Sequence, residues 1–102
     1  MPISSKLSED KQTILITITG SFDFSLQSEF RSTYRSITRP DSEFRVNLQN
    51  TEYMDSSALG MLLLLREHAE TYKGRVVLES LSPEIKQILT NAKFDRLFTI
   101  EG

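Results

Sequence analysis

Residues 51–65 read Thr-Glu-Tyr-Met-Asp-Ser-Ser-Ala-Leu-Gly-Met-Leu-Leu-Leu-Leu, and the change of character at Asp55 sets the reading of the whole chain. Asp55, Ser56 and Ser57 are all N-cap residue types, because their side-chain oxygens accept from the free N–H groups of a first helical turn. From Ala58 onward the run is almost wholly apolar. The spacing predicts a helix from about Ser57 to Tyr72 with a core stripe of Ala58, Leu62, Leu65, Ala69 and Tyr72, widened by Met61 and Leu64. Lys73 and Gly74 then stop it, with glycine at the position where a left-handed residue is usual. A pair of serine hydroxyls therefore stands at a helix start, near the positive end of the helix dipole. Such a hydroxyl is either a plain cap or a site for chemistry.

Upstream of this stretch, residues 44–48 alternate apolar and polar and form a short strand, with 49–54 as the loop delivering the chain to Asp55. Residues 13–20 read Thr-Ile-Leu-Ile-Thr-Ile-Thr-Gly, a period-two strand rich in β-branched residues that Gly20 ends. A turn at 21–25 leads into a helix carrying Leu26, Phe30, Tyr34 and Ile37, with Ser25 as its cap. Pro40 breaks that helix. Residues 1–10 are polar and form a lead-in or an edge strand.

Downstream, residues 75–81 are a strand whose continuous apolar centre implies burial on both faces. Ser82, Pro83 and Glu84 mark a helix start, as cap, first helical residue and acid near the dipole's positive end. Ile85, Ile88, Leu89 and Ala92 give this helix its buried face, and residues 94–100 read as a last strand. The alternation of strand and helix predicts an α/β fold, with a mainly parallel sheet and crossover helices.

The chain has 102 residues, enough for one domain spanning 1–102 with a modest core. Its net charge of -2 argues against a general nucleic-acid binder, which needs a basic surface. With no cysteine, disulfides, thiolate metal sites and cysteine nucleophiles are excluded. The N-terminus has no apolar core of a signal peptide, and the longest apolar run, 61–65, is too short for a bilayer. A cytoplasmic protein is the expectation.

The chemistry-bearing residues are few. The one histidine, His68, sits mid-helix among Arg66, Glu67 and Glu70, which reads as a solvated face. A triad with Ser56 would need contact across about 18 Å of the same helix, so none is expected. Asp23 and Asp55 each follow a predicted strand and are best read as turn and cap residues rather than a catalytic pair. There is no phosphate-binding glycine loop and no metal-ligand spacing, so no cofactor and no metal are expected. The five apolar residues at 61–65 either form a wide core stripe or place Gly60, Met61 and Leu64 at the edge of an exposed patch that meets a partner. Phosphorylation of a serine beside Asp55 would add about -1.5 to -2 charges at an exposed helix terminus, leaving the fold intact and inverting the surface potential there.

Several of these residues together resemble the STAS family, named for sulfate transporters and anti-sigma-factor antagonists. The resemblance rests on Gly20-Ser21-Phe22-Asp23 after a strand, on Val46-Asn47-Leu48, and on Asp55-Ser56-Ser57-Ala58-Leu59-Gly60 at a helix start, where the family has Asp-Ser-[Ser/Thr]-Gly-Leu-Gly. Ala58 departs from the family's usual glycine. The stop at Lys73 and Gly74 and the start at Ser82 and Pro83 also have counterparts. The resemblance implies a four- or five-stranded mixed sheet with α-helices packed mainly on one side. For the antagonist type it implies a non-enzymatic, phosphorylation-switched binding protein, with Ser56 as phosphoacceptor and Asp55 and Ser57 as its neighbours. Asp23, Ala58, Gly60, Met61 and Leu64 become partner-binding candidates. The partners implied are a serine kinase or anti-sigma factor with a histidine-kinase-like ATPase domain, and a PP2C-type phosphatase, in some systems both within one response regulator. The processes implied are transcription regulation, biofilm formation or motility. The other reading within the family is a STAS subunit of a membrane transport or lipid-handling assembly.

Overall fold

The computed structural model describes residues 2–102. In chain order the elements are β1 (Ile3–Leu7), β2 (Thr13–Ile18), β3 (Gly20–Phe22), α1 (Gln27–Tyr34), β4 (Glu43–Asn47), β5 (Thr51–Met54), α2 (Ser56–Thr71), β6 (Arg75–Glu79), α3 (Pro83–Asn91) and β7 (Thr99–Glu101). Short 3-10 turns occupy Phe24–Leu26 and Phe94–Arg96. Five strands form one mixed sheet in the order β1-β2-β4-β6-β7, with β1 antiparallel to β2 and every other pair parallel.

The period-two pattern puts the core on one face of this sheet. Register aligns Ile14, Phe44 and Val76 in one row and Ile16, Val46 and Leu78 in the next. All six are buried, and they share a single cluster with Phe30 and Tyr34 of α1, Leu62 and Leu65 of α2, and Ile85 and Leu89 of α3. The helices therefore cover this face, as the expected α/β arrangement requires. Each fully buried side chain of this kind contributes about 1.5–3 kcal/mol.

The opposite face carries Arg45 at its centre. Arg45 donates to Glu79 at 2.6 Å and to Glu43 at 2.9 Å, and its remaining guanidinium nitrogen meets Glu101. Arg75 joins by donating to Glu43 at 2.8 Å. Val77, opposite Arg45 in the register, is buried on this side, so the run 76–78 is indeed buried on both faces. Long polar side chains supply the cover here, their aliphatic stems lying over apolar surface.

Several local expectations are corrected. Residues 49–54 are not all loop, because Thr51–Met54 is a strand that pairs in parallel with Gly20–Phe22 as a small second sheet. Gly20 does not end β2, which stops at Ile18; it starts β3 with φ +85 and donates its N–H to the Asn50 carbonyl at 2.9 Å. The positive φ turns the chain away from the main sheet, a conformation glycine adopts without a Cβ penalty. Ser25 does not cap α1; Asp23 caps the preceding 3-10 turn and α1 starts from it without a side-chain cap. Lys73, not Gly74, is the left-handed residue after α2, with φ 59. Gly74 is required for a different reason: a Cβ there would lie 2.4 Å from the Ser42 carbonyl oxygen. Residues 94–100 are not one strand, since Phe94 and Phe98 pack against each other at 5.2 Å across a helical turn and only Thr99–Glu101 joins the sheet.

Candidate functional site

The small β3–β5 pair fixes the geometry around Asp55. Phe22 and Met54 are register partners, so Asp23 and Asp55 leave the same end of adjacent parallel strands. Neighbouring strands lie about 4.8 Å apart, which brings the two backbones side by side. Both aspartates are extended and perform the same local task. Asp23 accepts from the Ser25 N–H at 3.0 Å and the Ser25 hydroxyl at 2.6 Å. Asp55 accepts from the Ala58 N–H at 3.0 Å and the Ser57 hydroxyl at 2.6 Å. The Ser57 hydroxyl, with the Ala58 N–H second, holds the Asp55 carboxyl below the usual aspartate range. Both side chains are thus committed to turn and cap geometry, as expected for these residue types.

The three candidate caps of α2 divide the work. Asp55 is the cap, and Ser57 braces it. Ser56 is the first helical residue and is exposed, and among the described residues no hydrogen-bond partner meets its hydroxyl. Ser56 Oγ is therefore a hydroxyl with no structural duty at the positive end of a 16-residue helix.

Ser56 also starts the exposed face of α2. At about 100° per residue, Ser56, Gly60, Leu63, Leu64 and Glu67 share one side, and all five are exposed. Leu63 is 41% and Leu64 51% exposed. A Cβ placed on Gly60 would meet nothing within 4 Å, so the fold itself leaves room for a side chain there. Gly60 lies about 6 Å along the helix from Ser56, and Leu64 about 12 Å.

Two of the expected contact residues point elsewhere. Ala58 has 0% and Met61 4% of its surface exposed, because both belong to the core stripe. The residues beside Ser56 and Asp23 that went unnoticed in the sequence are Phe24 and Tyr53, exposed to 66% and 55%, together with Leu63. Phe24 directly follows Asp23, and Tyr53 precedes Asp55 by two. An aromatic beside each capping aspartate was the available signal. Glu52 on β5 is exposed as well, so this end already carries Asp23, Glu52 and Asp55.

His68 is not on a solvated face. It is half-buried, its Nε2–H donates to the Ile37 carbonyl at 2.7 Å, and its ring sits among Tyr34, Phe44 and Tyr72 at centroid distances of 5.0, 5.9 and 5.0 Å. Twelve residues of helix separate it from Ser56, about 18 Å. The described residues contain no group of three or more metal-ligating side chains, and no helix is long and apolar enough to cross a membrane.

Known proteins share this chain's family and its fold. Residues 5–100 match a family described as "Mlab, STAS domain". A STAS-domain containing protein of Pseudomonas aeruginosa (strain UCBPP-PA14) is 42% identical over 100 residues, covering 98% of this chain and 99% of the relative. Among solved structures, an anti-sigma-factor antagonist (STAS) domain protein from Planctomyces limnophilus superposes with a TM-score of 0.84 at 16% identity, over 98% of this chain and 89% of that one. The Bacillus cell fate determinant SpoIIAA in its phosphorylated form gives 0.69 at 17% identity, over 96% of this chain and 89% of that one. At these identities the two structural likenesses establish a shared fold.

Proposed function

The chain belongs to the STAS family, and we propose that within it this protein is a binding module switched by phosphorylation of Ser56, with no catalysis of its own. The observation that carries the reading is the division of labour at the start of α2. Asp55 caps the helix and Ser57 braces Asp55, which leaves the Ser56 hydroxyl exposed and unengaged beside an exposed, partly apolar helix face.

The unphosphorylated protein docks a partner against Ser56, Gly60, Leu63 and Leu64, with Asp23, Phe24 and Tyr53 at the flank. The partner is a serine kinase or anti-sigma factor with a histidine-kinase-like ATPase domain. In the kinase reaction Ser56 Oγ attacks the γ-phosphorus of ATP. The new O–P bond forms as the β–γ bridging bond breaks, ADP leaves, and the serine proton passes to a base on the kinase. Asp55 is the positioning acid: by fixing the first turn it fixes where Ser56 Oγ stands. Water and a PP2C-type phosphatase reverse the modification.

Phosphorylation places about -1.5 to -2 charges next to Asp23, Glu52 and Asp55. The helix dipole and the free N–H groups of the first turn favour that charge, so the fold persists. Docking fails because a dianion would have to be desolvated against the Gly60–Leu64 surface, and because the phosphate occupies the space a close-approaching backbone needs. Gly60 fits this role: a glycine inside a helix costs about 0.5–1 kcal/mol relative to alanine. Nothing within the chain requires that cost. The protein works in the cytoplasm, where ATP-dependent kinases act, and its output is regulatory, in transcription, biofilm formation or motility.

The test compares Ser56→Ala and Ser56→Asp. Both should fold as the wild type does. The alanine variant should bind the purified partner kinase constitutively, and the aspartate variant should not. Equal binding by both variants would refute the switch. Co-purification with a transporter, with Ser56 unmodified by any kinase, would support a transport-assembly subunit instead.

A further inference from the structure

A second surface lies beside the Ser56 face, in the furrow between α1 and α2. Two concavities of about 280 Å³ and about 450 Å³ share Arg31, Tyr34, Arg35 and Leu64, and so form one continuous groove. On the α2 side it runs from Met61 to Tyr72, about 16 Å of helix rise or three turns. At the Met61 end its base is formed by the core residues Phe30, Tyr34 and Met61, each 5% exposed or less, and towards Tyr72 the lining turns polar with Glu67, His68 and Thr71. Leu64 forms an exposed lip.

The α1 wall is cationic. Arg31 and Arg35 are exposed and stand one helical turn apart, and among the described residues neither has a carboxylate within salt-bridge distance. The α2 wall contributes one carboxylate, Glu67, towards the far end. Arg45, Arg66 and Arg75 are paired with glutamates, Arg39 donates to the Lys11 carbonyl, and Arg31 and Arg35 are the ones that stand together on one helix face. Two unpaired guanidiniums beside the exposed Leu64, in a chain of net charge -2, form a locally complementary surface for an acidic, amphipathic ligand.

We propose that the α1–α2 groove docks an acidic amphipathic helix of a protein partner. Its apolar stripe packs against the exposed Leu64 at the lip of the furrow, and two carboxylates spaced i, i+4 meet Arg31 and Arg35. The groove's length of about three turns accommodates an i, i+4, i+7 anchor set, which spans about two turns. The arginine spacing matches a helical carboxylate pair, because residues four apart lie on one side about 6 Å from each other. Glu67 opposite the arginines sets orientation, since a partner acid turned towards α2 would meet a like charge. The groove shares Leu64 with the Ser56 face, and its arginine contacts do not require Ser56 to be phosphorylated. It adds a contact that discriminates between partners by charge pattern.

The test uses the full chain, isotopically labelled, and a synthetic helical peptide of three to four turns with a leucine stripe flanked by glutamates. A second peptide replaces each glutamate with lysine. Vesicles of phosphatidylglycerol form a third arm. The acidic peptide should shift the backbone amide resonances of residues 27–35 and 61–72, and the Arg31→Glu, Arg35→Glu double variant should weaken it by about tenfold or more. The lysine peptide should bind the double variant better than the wild type. Amide dispersion of the variant confirms that it folds. No binding of the acidic peptide, equal binding of both peptides, shifts outside the groove, or affinity unchanged in the double variant would each overturn the proposal. Vesicle binding through Arg31 and Arg35 without peptide binding would overturn it in favour of an anionic membrane surface.

Discussion

Gly60→Ala is expected to make the protein more stable and less able to bind. Gly60 lies inside α2, four residues after its start, with ordinary helical φ and open space where a Cβ would project. Alanine is favoured over glycine in a helix interior by about 0.8–1.0 kcal/mol, mainly through the entropy of the unfolded chain. With no clash to subtract, most of that difference should appear as a gain of about 0.5–1 kcal/mol. For a domain of this size 1 kcal/mol corresponds to about 4–8 °C in Tm. Urea unfolding followed by far-UV circular dichroism should show the midpoint rising at constant slope. The same variant should bind the partner kinase more weakly, because the new methyl stands between Ser56 and Leu64 on the proposed contact face. Gly74→Ala provides the contrast. Its Cβ would lie 2.4 Å from a backbone oxygen, so it should destabilise by about 1–3 kcal/mol, as overpacking does. A Gly60→Ala midpoint that falls or stays put would refute the claim that the fold has no use for this glycine.

Other substitutions separate the core from the exposed face and test the charge network. Leu62→Ala, fully buried, should cost about 2–5 kcal/mol, whereas Leu64→Ala, half-exposed, should stay within about 0.5 kcal/mol while weakening partner binding. Arg45→Ala removes the cation shared by Glu43, Glu79 and Glu101 and should cost about 2 kcal/mol at neutral pH, less than a fully buried pair because Arg45 keeps some exposure. Arg45 is the first cause holding the Glu43 carboxyl below the ordinary glutamate range. The charge-dependent part of the wild type's advantage over this variant should therefore be full above the unfolded glutamate pKa of about 4.3 and be lost as pH falls through the lower folded value. Asp55→Ala should lower Tm and fray the first turn of α2, and because the folded Asp55 pKa is also depressed, the difference from wild type should close on acidification below about pH 4. Thermal scans across pH for the wild type and the Arg45→Ala and Asp55→Ala variants check both signs.

What the sequence disclosed depended on how many residues voted together. The alternation of Ile14, Ile16 and Ile18 fixed both a strand and its buried face, and Ser82 followed by Pro83 fixed a helix start that the structure reproduces with the Ser82 hydroxyl accepting from the Ile85 N–H at 3.2 Å. The β3–β5 pair escaped because three and four residues are too few to show a period; its existence depends on contacts between segments about thirty residues apart in sequence. The left-handed stop after α2 was assigned to Gly74 by residue type, but the positive φ belongs to Lys73 and the glycine answers to Ser42 across the fold. The run 61–65 supported two accounts, and the burial divides its residues: Met61, Leu62 and Leu65 are core, and Leu63 and Leu64 face outward. At the site, the motif Asp55-Ser56-Ser57 was plain, while the assignment of cap, brace and free hydroxyl was not, since all three residues are caps by type. Only the hydrogen bonds of Asp55 separate them.

The most direct test of the Ser56 switch is intact-mass measurement of the protein isolated from its native host under several growth conditions, followed by fragmentation across residues 55–65. A single phosphate on Ser56, present in some conditions and absent in others, is the expected result. A peptide that stays unmodified in every condition, or a phosphate on Ser57 instead, would contradict it, because Ser57 is the hydroxyl already bound to Asp55 at 2.6 Å.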